Sequence, residues 1–440
     1  MNDSRFSRRR FIKSTTIGML GPGMISATDL SLNNDHQDKQ LPKIKEYRLL
    51  GRTGFRVSDI GSGEPYSENL LRATLEAGVN FFETSESYYN GRSESMIGNV
   101  IRDFSRDNIF IATKASPTYR IFKSADDIIQ RAENSLKRLQ TDYIDLYMIH
   151  QAQNIIKVRD RYFHKAAERL KKEGKIRFTG LSCHGPTYGP EARDSLEDIL
   201  MAAIEDGRYD VIFLPYNFLN PDMGERIIKA CTEMNIGTMI MKSNPVVVYD
   251  NYEKTLNRGR ELSRDDRAIY DDLKSQMLKA EKFFSKNGIK DIEKMKEAAV
   301  QFILNNKGVS TICCRFPNYS DINRYVSLSG TTLDERASTL LAEYKDYMGF
   351  LNCRIGCNIC EASCPENIPV NKILRYNYYF ISHNQQKYAM DLYSNPAINK
   401  PDVCIDCEGY CEKACPYGVK TRMLLAIAHE NLNFERSSYT

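Results

Sequence analysis

Tryptophan is absent from the 440 residues, so any ring stacked on a ligand must come from the 26 tyrosines, the phenylalanines or the histidines. There is no run of about 18 apolar residues, and so no stable membrane span is expected in the body of the chain. An excess of one charge is missing too. The net +4 is carried by the first 27 residues, where Arg5, Arg8, Arg9, Arg10 and Lys13 face only Asp3, and the remainder holds 56 basic and 56 acidic residues. A neutral body gives no electrostatic ground for nucleic acid or a membrane surface as partner. With 42% apolar and 27% charged residues the chain is neither disordered nor fibrous, and its length suggests one large domain and a smaller one. Cysteine is not scarce: eight of the 12 lie between 353 and 415, while Cys183, Cys231, Cys313 and Cys314 are scattered. Such clustering points to a metal site or a disulfide framework.

From Glu46 to about residue 330, β-rich apolar runs alternate with amphipathic helical stretches. The runs are Val79 to Phe82, Ile109 to Thr113, Ile144 to Ile149, Ile176 to Leu181, Val211 to Leu214, Thr238 to Met241 and Ser310 to Cys313, with a short one near Ile60. Their ends recur at about the spacing of one strand, one helix and two loops. Eight such units predict a closed parallel (β/α)8 TIM barrel, an open doubly wound sheet of fewer strands being the alternative. The gap from 243 to 308 is twice the repeat, and its charged middle, Tyr249 to Met295, reads as an insertion over the barrel mouth. Residues 334 to 350 read as a helix. The cysteine region after it reads as a separate small domain, poor in aliphatic residues and in need of metal to hold it together.

The N-terminus reads Ser7-Arg8-Arg9-Arg10-Phe11-Ile12-Lys13, followed by a short, modestly apolar stretch broken by Gly18, Gly21, Pro22 and Gly23. It resembles a bacterial twin-arginine signal, with Arg8 and Arg9 as the pair, which implies export to the periplasm in folded form. Residues 1–27 are then the signal and 28–45 a polar linker. A basic tail without an address is the alternative.

The clustered cysteines form two groups, Cys353-x3-Cys357-x2-Cys360-x3-Cys364-Pro365 and Cys404-x2-Cys407-x3-Cys411-x3-Cys415-Pro416. They resemble the two-cluster bacterial ferredoxins, each with one residue inserted. The resemblance implies two [4Fe-4S] clusters, with the fourth cysteine of each group serving the other cluster. Cys353, Cys357, Cys360 and Cys415 would then hold one centre, and Cys404, Cys407, Cys411 and Cys364 the other. Two zinc sites or four disulfides remain as alternatives. The domain would be small and mostly helical, spanning 333–440 with its leading helix, after a barrel at 46–332.

In a βα barrel the chemistry belongs at the C-terminal strand ends. Here these carry Glu83 and Tyr88 after the second strand, Lys114 at the third and His150 at the fourth. Each alone has an ordinary structural explanation, as a solvated loop residue or as packing. Together with Gly78 to Tyr89, Tyr47 to Gly54, Asp142 to Leu146, Gly174 to Arg177 and Gly180 to Ser182, in that order, they resemble the aldo/keto reductases. The resemblance implies that Tyr88 gives a proton to a carbonyl oxygen, Lys114 and a carboxylate favour its ionisation, and His150 orients the substrate. It also implies NADP(H), with Ser182, Tyr216, Lys242 and Arg315 as candidate contacts and Arg324 as a second candidate for a phosphate.

Three departures from the family pattern stand out, the first at the partner of Lys114 and the other two in the nucleotide half. Glu83 replaces the family's aspartate, Cys183 its asparagine, and Phe213 its glutamine three residues before Tyr216. Gly61-Ser62-Gly63 lacks the third glycine of a dinucleotide fingerprint. The expectation is therefore an exported iron-sulfur oxidoreductase acting on a small carbonyl or alcohol, with NADP(H) or cluster-delivered electrons and a redox partner protein. The alternative is a non-catalytic electron-transfer or binding protein whose barrel has lost nucleotide binding.

Overall fold

The computed structural model describes residues 42–116, 122–185, 194–245, 292–382, 385–404 and 407–433, with isolated positions between 271 and 285. The residues of the expected signal, Arg8 to Lys13, and most of the expected insertion, Tyr249 to Met295, lie outside the described residues. Leu41–Thr440 forms one compact unit.

The chain opens with an antiparallel hairpin, β1 (Tyr47–Leu49) and β2 (Arg56–Ser58), which periodicity did not predict. Eight parallel strands follow: β3 (Ile60–Ser62), β4 (Phe81–Glu83), β5 (Phe110–Ala115), β6 (Ile144–Ile149), β7 (Ile176–Ser182), β8 (Val211–Pro215), β9 (Gly237–Met241) and β10 (Thr311–Cys314). They close in sequence order, β10 returning to pair with β3, as the strand spacing predicts. Every residue of β5, β6, β8 and β9 is buried, as strands covered on both faces must be. Phe81, Phe110, Ala112, Leu146, Met148, Val211, Phe213, Met239 and Met241 fill the inside, with Leu50 and Val57 of the hairpin connection closing the bottom. Gly51 makes that plug possible: its φ is +49° and an added Cβ would lie 2.2 Å from the Gly237 nitrogen.

Alternate residues point outward and pack under helices, among them Ala125–Leu139, Arg161–Lys172, Leu196–Asp206 and Pro221–Glu233. Ser124, Asp160 and Ser195 cap three of these, each accepting a hydrogen bond from a first-turn amide.

The cysteine region differs from its expected form. It is not a separate body short of core. Leu351, Ile373, Leu374, Tyr376, Leu424 and Ile427 bury together with Phe218, Leu219, Met295 and Ala299 of the barrel, so the two parts share one apolar core. Most of those from the cysteine region lie in helices Val370–Ser382 and Thr421–Leu432, which follow the two Cys-Pro pairs. The two halves repeat: Glu361 and Glu412 each accept the amide of the residue ten positions on, at 3.0 Å, and Asn367 and Gly418 each take a positive φ three residues after the last cysteine of their group.

Candidate active site

Strand parity assembles the candidate group. Phe81, Ala112 and Met148 face the barrel interior, so Glu83, Lys114 and His150, two residues further along, emerge on the same side at the C-terminal rim. Tyr88 returns to them from a short helical turn, Tyr88–Gly91, after β4. Lys114 is 1% exposed and Glu83 4%. The Lys114 ammonium pairs with the Glu83 carboxylate and donates to the Thr84 carbonyl at 2.8 Å and to the Tyr88 oxygen at 3.1 Å. The Tyr88 hydroxyl donates to Glu83 Oε1 at 3.3 Å. Glu83, although longer than aspartate, thus still reaches Lys114.

Burial favours the neutral form of both partners. It holds the Tyr88 phenol well above its ordinary value, with Glu64 adding to the effect, and pushes Lys114 down to about 7 against the opposing pull of Glu64 and Cys313. A phenol that stays protonated is a proton store, and the ammonium 3.1 Å away is the group that would stabilise its anion.

His150 stands edge-on to Tyr88, ring centroids 5.8 Å apart. Its Nδ1 is hydrogen-bonded to Ser116 Oγ and lies 3.4 Å from Ser85 Oγ, which fixes the ring's direction. Neither serine was singled out from sequence. Parity could have found Ser116, which follows Lys114 by two. Cys313, Glu64, Tyr379 and Tyr388 also line the site, the two tyrosines coming from the C-terminal region. The cavity they share with Tyr88 and His150 measures about 1250 Å³. It exceeds the roughly 300–1,000 Å³ of ordinary small-molecule sites.

Of the four nucleotide candidates, Ser182, Lys242 and Arg315 line the cavity shared with Tyr88, and Tyr216 does not. Tyr216 lies three residues beyond inward-facing Phe213 and therefore on the opposite face. Its ring packs 5.5 Å from Phe302, and its hydroxyl donates to Glu225 at 3.3 Å, on the outside of the barrel. Ser182 Oγ accepts the Gln151 amide at 2.9 Å and donates to the Ile149 carbonyl at 3.3 Å. Cys183 turns outward onto the Ala152 carbonyl, and burial pushes its thiol up to about 12. Arg315 pairs with Glu64 at 3.3 Å, and Arg324 with Glu293 and Asp321 at 2.7 Å each. Lys242 faces the rings of Tyr378 and Tyr379. The residues present do not fit a nicotinamide clamp.

All twelve cysteines are free thiols, which leaves no disulfide framework. Burial raises the Cys353 thiol, and the thiols that bear on it are Cys357, Cys360 and Cys415. Burial likewise raises Cys404, whose thiol neighbours are Cys411, Cys407 and Cys364. Asn371 donates to Cys353 Sγ at 3.2 Å and Thr421 to Cys411 Sγ at 2.9 Å. Among the described residues no three His, Cys, Asp or Glu side chains converge on a single ion-sized point. No described helix is long and apolar enough to cross a membrane.

The sequence profile described as the aldo/keto reductase family matches residues 50–344, two thirds of the chain. The aldo-keto reductase YhdN of Bacillus subtilis (strain 168) is 29% identical over 217 residues, which are 45% of this chain and 62% of that protein. The L-galactose dehydrogenase of Arabidopsis thaliana is 32% identical over 154 residues, 31% of this chain and 48% of that one. The chain thus spans about half to three fifths of these relatives. A solved aldo-keto reductase from Bacillus halodurans, in its holo form, is 21% identical over 68% of this chain and 95% of its own, with a TM-score of 0.48.

Proposed function

The chain belongs to the aldo/keto reductase family, and we propose that it is an exported oxidoreductase that interconverts a carbonyl and an alcohol on a small molecule. One observation carries this reading: a buried phenol, Tyr88, hydrogen-bonded at 3.1 Å to a buried ammonium that is itself paired with Glu83, all opening on one large cavity. Reducing a carbonyl to an alcohol takes up two electrons and two protons: Tyr88 supplies the proton that lands on oxygen, the reductant supplies the two electrons, and solvent supplies the proton that lands on carbon. Lys114 stabilises the phenolate left behind. Glu83 holds Lys114 in place, and His150, fixed by Ser116, directs the substrate oxygen toward the phenol. Phe213, Tyr379 and Tyr388 give the cavity an aromatic wall beside these groups.

Members of the family generally use NADP(H). Here Tyr216, Cys183 and Phe213 do not fit its carboxamide, and no step is derived through it. The eight clustered cysteines fit two [4Fe-4S] clusters better than two zinc ions. A cubane gives each thiolate its own iron, so its ligands are spread apart, whereas a zinc ion needs them to meet at one point. Cys353, Cys357, Cys360 and Cys415 would hold one cluster, and Cys404, Cys407, Cys411 and Cys364 the other. When bound, they would supply one-electron transfer, with a redox partner protein on the outer side. Export through the twin-arginine route to the periplasm suits such a chain, since cofactors must be inserted before folding is complete.

The test is carbonyl reduction by anaerobically purified holoprotein, supplied separately with a chemical one-electron reductant and with NADPH. Turnover that collapses in Tyr88→Phe is expected with the first. Clusters that reduce while no carbonyl compound reacts with either source would assign the chain to electron transfer or binding alone.

A further inference from the structure

Three basic groups with unmatched charge or unpaired donors meet where the C-terminal region covers the barrel rim. Lys242, just past β9, forms no ion pair and donates no hydrogen bond among the described residues. Its ammonium lies 4.6 Å from the centroids of both the Tyr378 and Tyr379 rings. Arg375 reaches across from the helix Val370–Ser382, donates through Nη1 to the His184 carbonyl at 2.7 Å, and leaves Nη2 buried without a partner. His184, just past β7, has a buried Nδ1 that is likewise unpaired. Other cations of the cavity are matched: Lys114 by Glu83 and Arg315 by Glu64.

The backbone and the ionisation behaviour agree with this. Lys242 adopts φ +56°, a conformation that costs a non-glycine residue energy and is retained where a side chain must be aimed. Burial, with Arg375 and Arg315 next, pushes its amine down to about 7. His184 is held well below its ordinary value by burial and by Lys242 and Arg375. Lys242 and Arg375 would be stabilised by an anion between them; no described carboxylate forms an ion pair with Lys242, and Glu361 is the carboxylate whose ionisation Arg375 favours.

We propose that Lys242, with Arg375 and His184 beside it, is an anion subsite of the catalytic cavity, holding the carboxylate or phosphate of a substrate whose carbonyl faces Tyr88. Lys242 and His184 line the same cavity as Tyr88 and His150, so one molecule can span both. The substrate class is then a carbonyl compound bearing an oxyanion, bulky enough to use a cavity of about 1250 Å³. The proposal deepens the oxidoreductase reading, but its binding test does not depend on turnover.

The experiment is calorimetric titration of the holoprotein with inorganic phosphate and with acetate, for the wild type, Lys242→Met and Lys242→Arg, with melting temperatures recorded. Wild type should bind at least one of the two anions. Lys242→Met should weaken that binding by about tenfold or more, as loss of a charge-assisted hydrogen bond does, and Lys242→Arg should largely restore it. Should Lys242→Met fail to fold, Lys242→Gln carries the same comparison. Equal affinity in the charge-removing variant, or no anion binding by wild type, would overturn the subsite. NADPH is the third titrant. If it displaces phosphate from wild type and loses affinity in Lys242→Met, the anion is a dinucleotide pyrophosphate and the substrate assignment is overturned. Failure of carbonyl turnover with intact anion binding would instead count against the redox reading.

Discussion

Deleting one oxygen tests the catalytic assignment most sharply. Tyr88→Phe removes the hydroxyl that accepts from Lys114 at 3.1 Å and donates to Glu83 at 3.3 Å, but keeps the ring that stands edge-on to His150 at 5.8 Å. Lys114 and Glu83 still satisfy each other, so the fold should lose no more than about 1 kcal/mol. Turnover, by contrast, loses a positioned proton donor, worth about 10²–10⁴ in rate. Lys114→Met acts through the same proton, so the two losses should be far from additive. That second variant carries a hazard the structure makes explicit. Glu83 is 4% exposed and would be left as a buried, unpaired carboxylate, a change that costs about 3–5 kcal/mol. The comparison should therefore be made in Lys114→Met/Glu83→Gln, where the stranded charge is gone. The assay is single-turnover carbonyl reduction by chemically reduced holoprotein, alongside thermal melts. If Tyr88→Phe turns over like wild type, or if the losses multiply, the phenol is not the proton donor and the reasoning fails.

How far the sequence could be read depended on whether a feature obeys a period. The eight strands and their closure were legible because a parallel barrel repeats at a fixed length, and each run reads as buried on both faces. Glu83, Lys114 and His150 were legible because strand ends are fixed by that repeat, and Tyr88, five residues past its strand, through the family resemblance. Tyr216 lies away from the cavity for a reason the motif does not carry: kept at the family spacing, it sits an odd number of residues from Phe213 and packs on Phe302. The shared core between barrel and cysteine region was not legible, since Phe218, Met295 and Leu341 lie far apart in sequence and belong to no common pattern. Nor was the presence of Tyr379 and Tyr388, which only tertiary packing brings into the cavity with Tyr88.

Cys357→Ser should lower iron and acid-labile sulfide to about half of the wild-type content, read by metal and sulfide assay after anaerobic purification; stoichiometric zinc in the wild type would refute the cluster assignment. Replacing Arg8 and Arg9 together by lysine keeps the charge but removes the guanidinium fork, and fractionation should find the chain retained in the cytoplasm; undiminished export of folded protein would refute the address. The last prediction concerns pH and follows from Lys114. Burial pushes its amine down to about 7, while the Glu83 carboxylate paired with it works the other way. The ammonium form, which stabilises the phenolate, is the form present below that pKa and is lost above it. Carbonyl reduction should therefore fall as the pH rises past about 7, with the limb at or somewhat above that value. Glu83→Gln removes that carboxylate, leaves burial opposed only by Cys313 and Glu64, and should move the limb to lower pH, whereas Lys114→Met should abolish it. The measurement is a single-turnover rate profile across the neutral range. A limb that Glu83→Gln moves to higher pH, or one that survives in Lys114→Met, would place the controlling ionisation on another group.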